Sequence, residues 1–126
     1  MTMPNLHIFL VEDDASVRRA LKRLVRSFGY EVDAFASAGD VLNIIPTTVP
    51  DCLIVDVQMP GLNGLDLQHH LAEAGHNLPI IFITAHEDAQ VRQHAMQAGA
   101  VAFLYKPFND EVLLKAIHAA TGDPTP

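Results

Sequence analysis

The stretch DCLIVDVQMPGLNG, residues 51–64, decides the fold. Cys52 to Val55 run without a polar break into the carboxylate of Asp56. A strand with one wet face alternates apolar and polar residues, whereas an unbroken apolar run suits a strand covered on both faces. A carboxylate is costly to desolvate, so Asp56 is expected at the rim, where the strand leaves the interior and access to it stays open. The turn formers that follow, Pro60, Gly61 and Gly64, suit a tight loop. Asn63 is placed to cap a helix beyond it.

Working outward, HIFLV at 7–11, IIFIT at 80–84 and AFLY at 102–105 repeat the pattern of short apolar runs. YEVDAF at 30–35 alternates instead and reads as an edge strand. Stretches of helical period lie between them. Val17, Ala20, Leu21, Leu24, Val25 and Phe28 form one stripe, stopped by Gly29. A second helix is expected over Val41 to Ile45, closed before Pro46, and a third carries Leu67 and Leu71 up to Gly75. A fourth runs through Val91, Ala95 and Ala98 to Gly99. The fifth starts at an Asn109 cap, with Asp110 and Glu111 at its positive end and Leu113, Ala116, Ile117 and Ala120 on one face. Strict alternation of strand and helix implies a parallel sheet with helices on both faces. With the second strand at an edge, the fold is a doubly wound α/β domain of strand order 2-1-3-4-5.

The 126 residues suit one domain over 1–120, with TGDPTP at 121–126 as a tail or the start of a linker. Cys52 is the only cysteine, which excludes an intrachain disulfide and fits a packed thiol in a reducing, cytoplasmic setting. No apolar run approaches the roughly 20 residues that span a bilayer, and no basic flank precedes the first one. A soluble domain without a membrane partner is expected. The net charge of −7 disfavours polyanions, so DNA contact is expected only through an output domain absent from this chain.

Ligands of such sheets bind beyond the carboxyl ends of the strands. Glu12, Asp13 and Asp14 follow the first strand, Asp56 ends the third, Thr84 ends the fourth, and Lys106 and Pro107 follow the fifth. Asp13 and Asp56 side by side would repel unless a cation intervened. Mg2+ suits them, because it takes one or two carboxylates, waters and phosphate oxygens. Asp13 and Asp56 are expected as direct ligands, Glu12 through water, and a backbone carbonyl near Gln58 as a further oxygen. Lys106 supplies a compact positive charge and Thr84 a neutral hydroxyl around a small tetrahedral anion, with Asp56 as carboxylate nucleophile for phosphoryl transfer. Arg18, Arg19, Lys22, Arg23 and Arg26 lie largely opposite the apolar stripe of the first helix. They read as a solvated basic face, or as a docking face for an acidic partner such as a kinase. The seven histidines show no zinc-binding spacing and read as solvated or packed.

The motifs LVEDD, IVDVQMPGLNG, FITAH and YKPF, in this order and spacing, resemble the receiver domains of two-component response regulators over nearly the whole chain. The resemblance implies the flavodoxin-like (βα)5 receiver fold, with Asp56 as phosphoacceptor and Glu12 and Asp13 as the acidic pair. It implies Thr84 as switch hydroxyl, Lys106 as the lysine that senses the phosphoryl group, and a cis peptide between Lys106 and Pro107. Phe103 matches the family's switch aromatic, expected to turn inward on phosphorylation, and Tyr105 is only its neighbour. Gln58 and His86 match positions that tune dephosphorylation, and Asp14 is given a helix-start or supporting role. The donor implied is a phosphohistidine of a sensor histidine kinase or histidine phosphotransfer protein. The implied readout is dimerisation, or control of an output domain, through the face of the fourth helix, fifth strand and fifth helix. The LYKPF motif and short final helix loosely resemble regulators with helix-turn-helix outputs. Two other readings compete: a degenerate receiver that binds partners without phosphorylation, and a Mg2+-dependent phosphatase, which lacks a second acid where Gln58 stands.

Overall fold

Side chains of the central strand divide by parity. In β3 (Cys52–Asp56), Leu53 and Val55 enter one apolar cluster while Cys52 and Ile54 enter another on the opposite face. β1 (His7–Val11) behaves alike, with Phe9 and Val11 on one side and Ile8 and Leu10 on the other. This is the physical meaning of the unbroken apolar runs: both faces of the sheet are core. The computed structural model describes residues 5–122.

The remaining strands are β2 (Glu31–Phe35), β4 (Ile80–Thr84) and β5 (Ala102–Tyr105). All neighbours pair in parallel, in the order β2-β1-β3-β4-β5. The helices are α1 (Ala15–Ser27), α2 (Ala38–Ile44), α3 (Gly64–Glu73), α4 (Ala89–Gln97) and α5 (Asp110–Thr121). Leu21 and Val25 of α1 and Leu113, Ala116 and Ile117 of α5 fill one face of the sheet. Val41 of α2, Leu67 and Leu71 of α3 and Ala95 of α4 fill the other. The doubly wound fold expected from the sequence is therefore the observed one, with the alternating strand β2 at an edge.

Differences from the sequence reading are local. α2 begins at Ala38, three residues before Val41, because the Ser37 hydroxyl accepts from the Asp40 N–H at 3.2 Å and caps the helix. Ala20 lies at the exposed margin of the α1 stripe, and Ala98 is the exposed cap residue of α4. Thr121, read as tail, is the last residue of α5, and Gly122 closes that helix with φ +69°. Residues 123–126 of the expected tail lie outside the described residues.

Two devices aim the chain after Asp56. Asn63 and Asp66 form a reciprocal cap: the Asn63 side chain accepts from the Asp66 N–H at 2.9 Å, and the Asp66 carboxylate accepts from the Asn63 N–H at 3.0 Å. Gly64 then passes so close to the strand end that a Cβ would stand 2.9 Å from the Asp56 carbonyl oxygen and 3.0 Å from both the Val57 Cα and Phe82 Cε1. Two of those neighbours are backbone, so little can yield. Gly64→Ala is expected to lower stability by about 1–3 kcal/mol through overpacking. It should appear as a reduced urea midpoint at unchanged m-value; an unchanged midpoint would show that the loop moves aside at no cost.

Candidate functional site

Register brings the acidic residues together. Val11 pairs with Val55, so Glu12, the residue after β1, lies level with Asp56 at the end of β3. The Glu12 N–H donates to the Phe35 carbonyl at 3.0 Å, extending the β1–β2 ladder by one residue. On the other side, Thr84 pairs with Tyr105 and the Lys106 N–H donates to the Thr84 carbonyl at 2.7 Å. The Lys106-Pro107 peptide is cis.

The ammonium of Lys106 spans two carboxylates, 2.7 Å from Glu12 Oε1 and 3.2 Å from Asp56 Oδ2. Lys106, expected to face the anion at Asp56, makes its shorter contact with Glu12. Asp56 Oδ1 accepts from the Gln58 N–H at 2.9 Å. Carboxylate oxygens of Glu12, Asp13 and Asp56 all lie within 4.8 Å of one another. Among the described residues this is the only group of three such ligands close enough to share an ion. Three carboxylates against one ammonium leave negative charge uncompensated, and hard oxygen donors fit a small divalent cation. The residues present therefore fit a metal site. Asp13 is exposed, while Asp56 keeps only 7% of its surface and Glu12 only 1%. The carboxylate expected to stand open is thus largely enclosed.

Thr84 is buried, and its hydroxyl accepts from the His86 N–H at 3.2 Å. Phe103, expected to turn inward on phosphorylation, already lies inside, its ring centroid 6.1 Å from Phe82 and 5.5 Å from Tyr105. Asp14 is the cap of α1, accepting from the Ser16 and Val17 N–H groups at 2.9 and 3.0 Å. His7 and His69 each pair with one acid, Asp33 and Glu73 respectively. One polar residue departs from its expected place, and a second carried no expectation. Arg18 leaves the solvated face and bonds the acidic loop. Gln68 is buried between α3 and α4, donating to the Ala95 carbonyl at 3.1 Å; its polar type at a helical position gave no signal.

The chain matches the response regulator receiver domain family over residues 8–118. It belongs to that family. The receiver is 52% identical over 114 residues to nodulation protein W of Bradyrhizobium diazoefficiens and 48% identical over 113 residues to response regulator protein TodT of Pseudomonas putida. Each alignment covers 90% of this chain and 50% of the relative, so the receiver spans about half the length of these curated relatives. Among solved structures, FixJ-N superposes with a TM-score of 0.89 at 33% identity, covering 98% of this chain and 99% of that one. A receiver protein from Burkholderia phymatum superposes at 0.84 with 46% identity, covering 97% and 99%. No helix among the described residues is long and apolar enough to cross a membrane.

Protonation of the receiver's acidic group is set by the same geometry. Burial is the main force on Glu12 and, with help from Asp56, lifts its carboxyl to about 7 against the opposing Lys106 bond. Burial pulls the Lys106 ammonium down, but the bond to Glu12 and the charges of Asp56 and Glu12 outweigh it, leaving the net shift upward. Between 4.5, the ordinary value, and about 7, the folded chain thus holds a proton on Glu12 that the unfolded chain has released. The stability this group contributes is full below 4.5 and is lost as pH rises through 7. Urea melts of the metal-free domain from about pH 5 to about pH 8 should therefore show wild type losing stability relative to Glu12→Gln. Parallel pH curves for the two proteins would count against a proton on Glu12.

Proposed function

We propose that this receiver is a phosphorylation-activated switch in which Asp56 takes a phosphoryl group from a phosphohistidine of a sensor kinase or phosphotransfer protein. The observation that carries the reading is the convergence of Glu12, Asp13 and Asp56 around a single ammonium. An Asp56 oxygen attacks phosphorus as the bond to the imidazole nitrogen breaks, leaving an acyl phosphate on Asp56 and a neutral histidine on the donor. Lys106 is already within 3.2 Å of the attacking carboxylate and is placed to follow the new oxygens. Glu12, Asp13, Asp56 and the Gln58 carbonyl would hold Mg2+, which when bound offsets charge on the carboxylates and the phosphoryl oxygens. The domain catalyses only its own phosphorylation and hydrolysis, with Gln58 and His86 flanking the acceptor and the hydroxyl as tuning positions.

Readout follows from what Thr84 exchanges. Its hydroxyl, which donates to the His86 carbonyl at 3.5 Å, would donate instead to a phosphoryl oxygen, drawing the β4–α4 loop toward Asp56. Phe103 is already inward, so phosphorylation has only to favour an arrangement that the unmodified chain reaches. The face of α4, β5 and α5 would then control a homodimer or an output domain. TdiR of Thauera aromatica and FixJ of Bradyrhizobium diazoefficiens are transcriptional regulatory proteins in which the matched region is 50% and 56% of the length. That supports a transcriptional output, in a cytoplasmic protein, with any DNA bound through the other part.

Incubation with acetyl phosphate and Mg2+ should add one phosphoryl group by mass, labile to hydroxylamine and absent in Asp56→Asn or without metal. An unchanged mass in folded protein would sink the switch and favour a phosphorylation-independent interaction module. Thr84→Ala should still acquire the phosphoryl group while losing the accompanying amide NMR shifts in α4 and β5. Equal shifts in wild type and Thr84→Ala would remove the hydroxyl from the switch.

A further inference from the structure

The basic face of α1 is not uniform. Arg19, Arg23 and Arg26 are exposed, whereas Arg18 is partly buried and reaches back along its own helix to the acidic loop. Its guanidinium Nη1 donates to the Glu12 carbonyl at 2.9 Å and to the Asp13 carbonyl at 3.3 Å. Its backbone N–H donates to the Asp14 carbonyl at 2.8 Å. The Arg18 side chain therefore holds two successive carbonyls of the acidic triplet, while the third is held by the main chain of α1. No ion pair joins Arg18 to a carboxylate among the described residues.

The neighbours of Asp13 have other restraints. Glu12 is fixed by the Phe35 carbonyl and by Lys106, and Asp14 by its capping bonds. Asp13 lies between them with an exposed side chain, close to two further carboxylates, and among the described residues forms no ion pair with the ammonium that steadies them. Repulsion among the three carboxylates favours opening of this loop. A guanidinium suits the task of opposing it, because its planar fork of donors holds several acceptors in one fixed geometry.

We propose that Arg18 is a positioning residue that presets Asp13 and Glu12 for a divalent cation. The inference rests on the metal-binding reading of the acidic group. Two effects of Arg18 oppose each other: its charge repels a cation, and its bonds preorganise the ligands. The proposal is that preorganisation wins. Loss of an outer partner of a metal ligand typically weakens affinity about 10–100-fold.

The test is a Mg2+ titration of the folded domain by amide NMR, comparing wild type, Arg18→Met, Arg18→Lys and, as a control, the exposed neighbour Arg19→Met. Preorganisation predicts weaker Mg2+ binding, by about tenfold, in Arg18→Met. Arg18→Lys, which keeps the charge, should also weaken binding, while Arg19→Met should leave it unchanged or slightly tighter. Charge repulsion alone predicts the reverse: tighter binding in Arg18→Met and no change in Arg18→Lys, and that pattern would overturn the proposal. A readout without metal accompanies it. Hydrogen exchange of the Asp13 and Asp14 amides should quicken in Arg18→Met while Ile54 in the core stays protected; unchanged loop exchange overturns the clamp. If wild type itself binds no Mg2+, the metal reading fails, and the inference with it, an outcome separable from failure of Arg18 alone.

Discussion

The Lys106 ammonium lies 2.7 Å from Glu12 and 3.2 Å from Asp56, joining the ends of three strands that the chain visits far apart in sequence. Its position is a consequence of strand order. With β1 beside β3 and β3 beside β4, Glu12 and Asp56 are neighbours, and β5 at the edge delivers a lysine whose stem spans the Thr84 position. Two nearly buried carboxylates in contact with a single cation do not satisfy one another fully. Their excess charge is answered by a proton on Glu12 below about pH 7, and a divalent ion would compete for the same place.

Asp56 is enclosed rather than presented. Its carboxylate receives the Gln58 N–H, and its own carbonyl is brushed by the first turn of α3 at Gly64. The Asp56 carboxylate is consequently held in one orientation, which would serve the proposed phosphoryl transfer, where catalysis is mostly positioning. The same contact couples α3 to Asp56, and Gln68, one turn further on, couples α3 to α4. The Ala95 carbonyl that Gln68 reaches also accepts from the Ala100 N–H at 3.0 Å, closing the carboxyl end of α4. The amino end of α4 lacks such an anchor: residues 85–90 are exposed and the helix is capped there by Asp88.

Much of this was legible in the sequence because burial on two faces writes itself as unbroken apolar runs. HIFLV, IIFIT and AFLY delimit β1, β4 and β5 to the residue, and the alternation of YEVDAF identified the edge. The positions of Glu12, Asp13, Asp56, Thr84 and Lys106 at strand ends followed from the same runs. What the sequence concealed depends on where long side chains turn. Lys106 chooses Glu12 over Asp56 by a half ångström that no spacing encodes. Arg18 has the periodicity of an exposed residue, yet its long side chain returns it to the loop. Gln68 is polar on a helix of mixed character, and only the meeting of α3 with α4 buries it. Gly64 was legible as a turn residue; its role as the contact surface for a strand end was not.

The parity of β3 also determines the fate of its first residue. Cys52 is fully buried beside Ile54 and Ile81, and burial lifts its thiol to about 12, so it is not ionised at neutral pH. The chain contains no tryptophan and no other sulfhydryl. The folded domain is accordingly free of tryptophan emission and, with its one thiol buried, unreactive toward thiol reagents. A single cysteine or tryptophan introduced on the exposed β4–α4 loop would report alone, against a background that the fold itself has silenced.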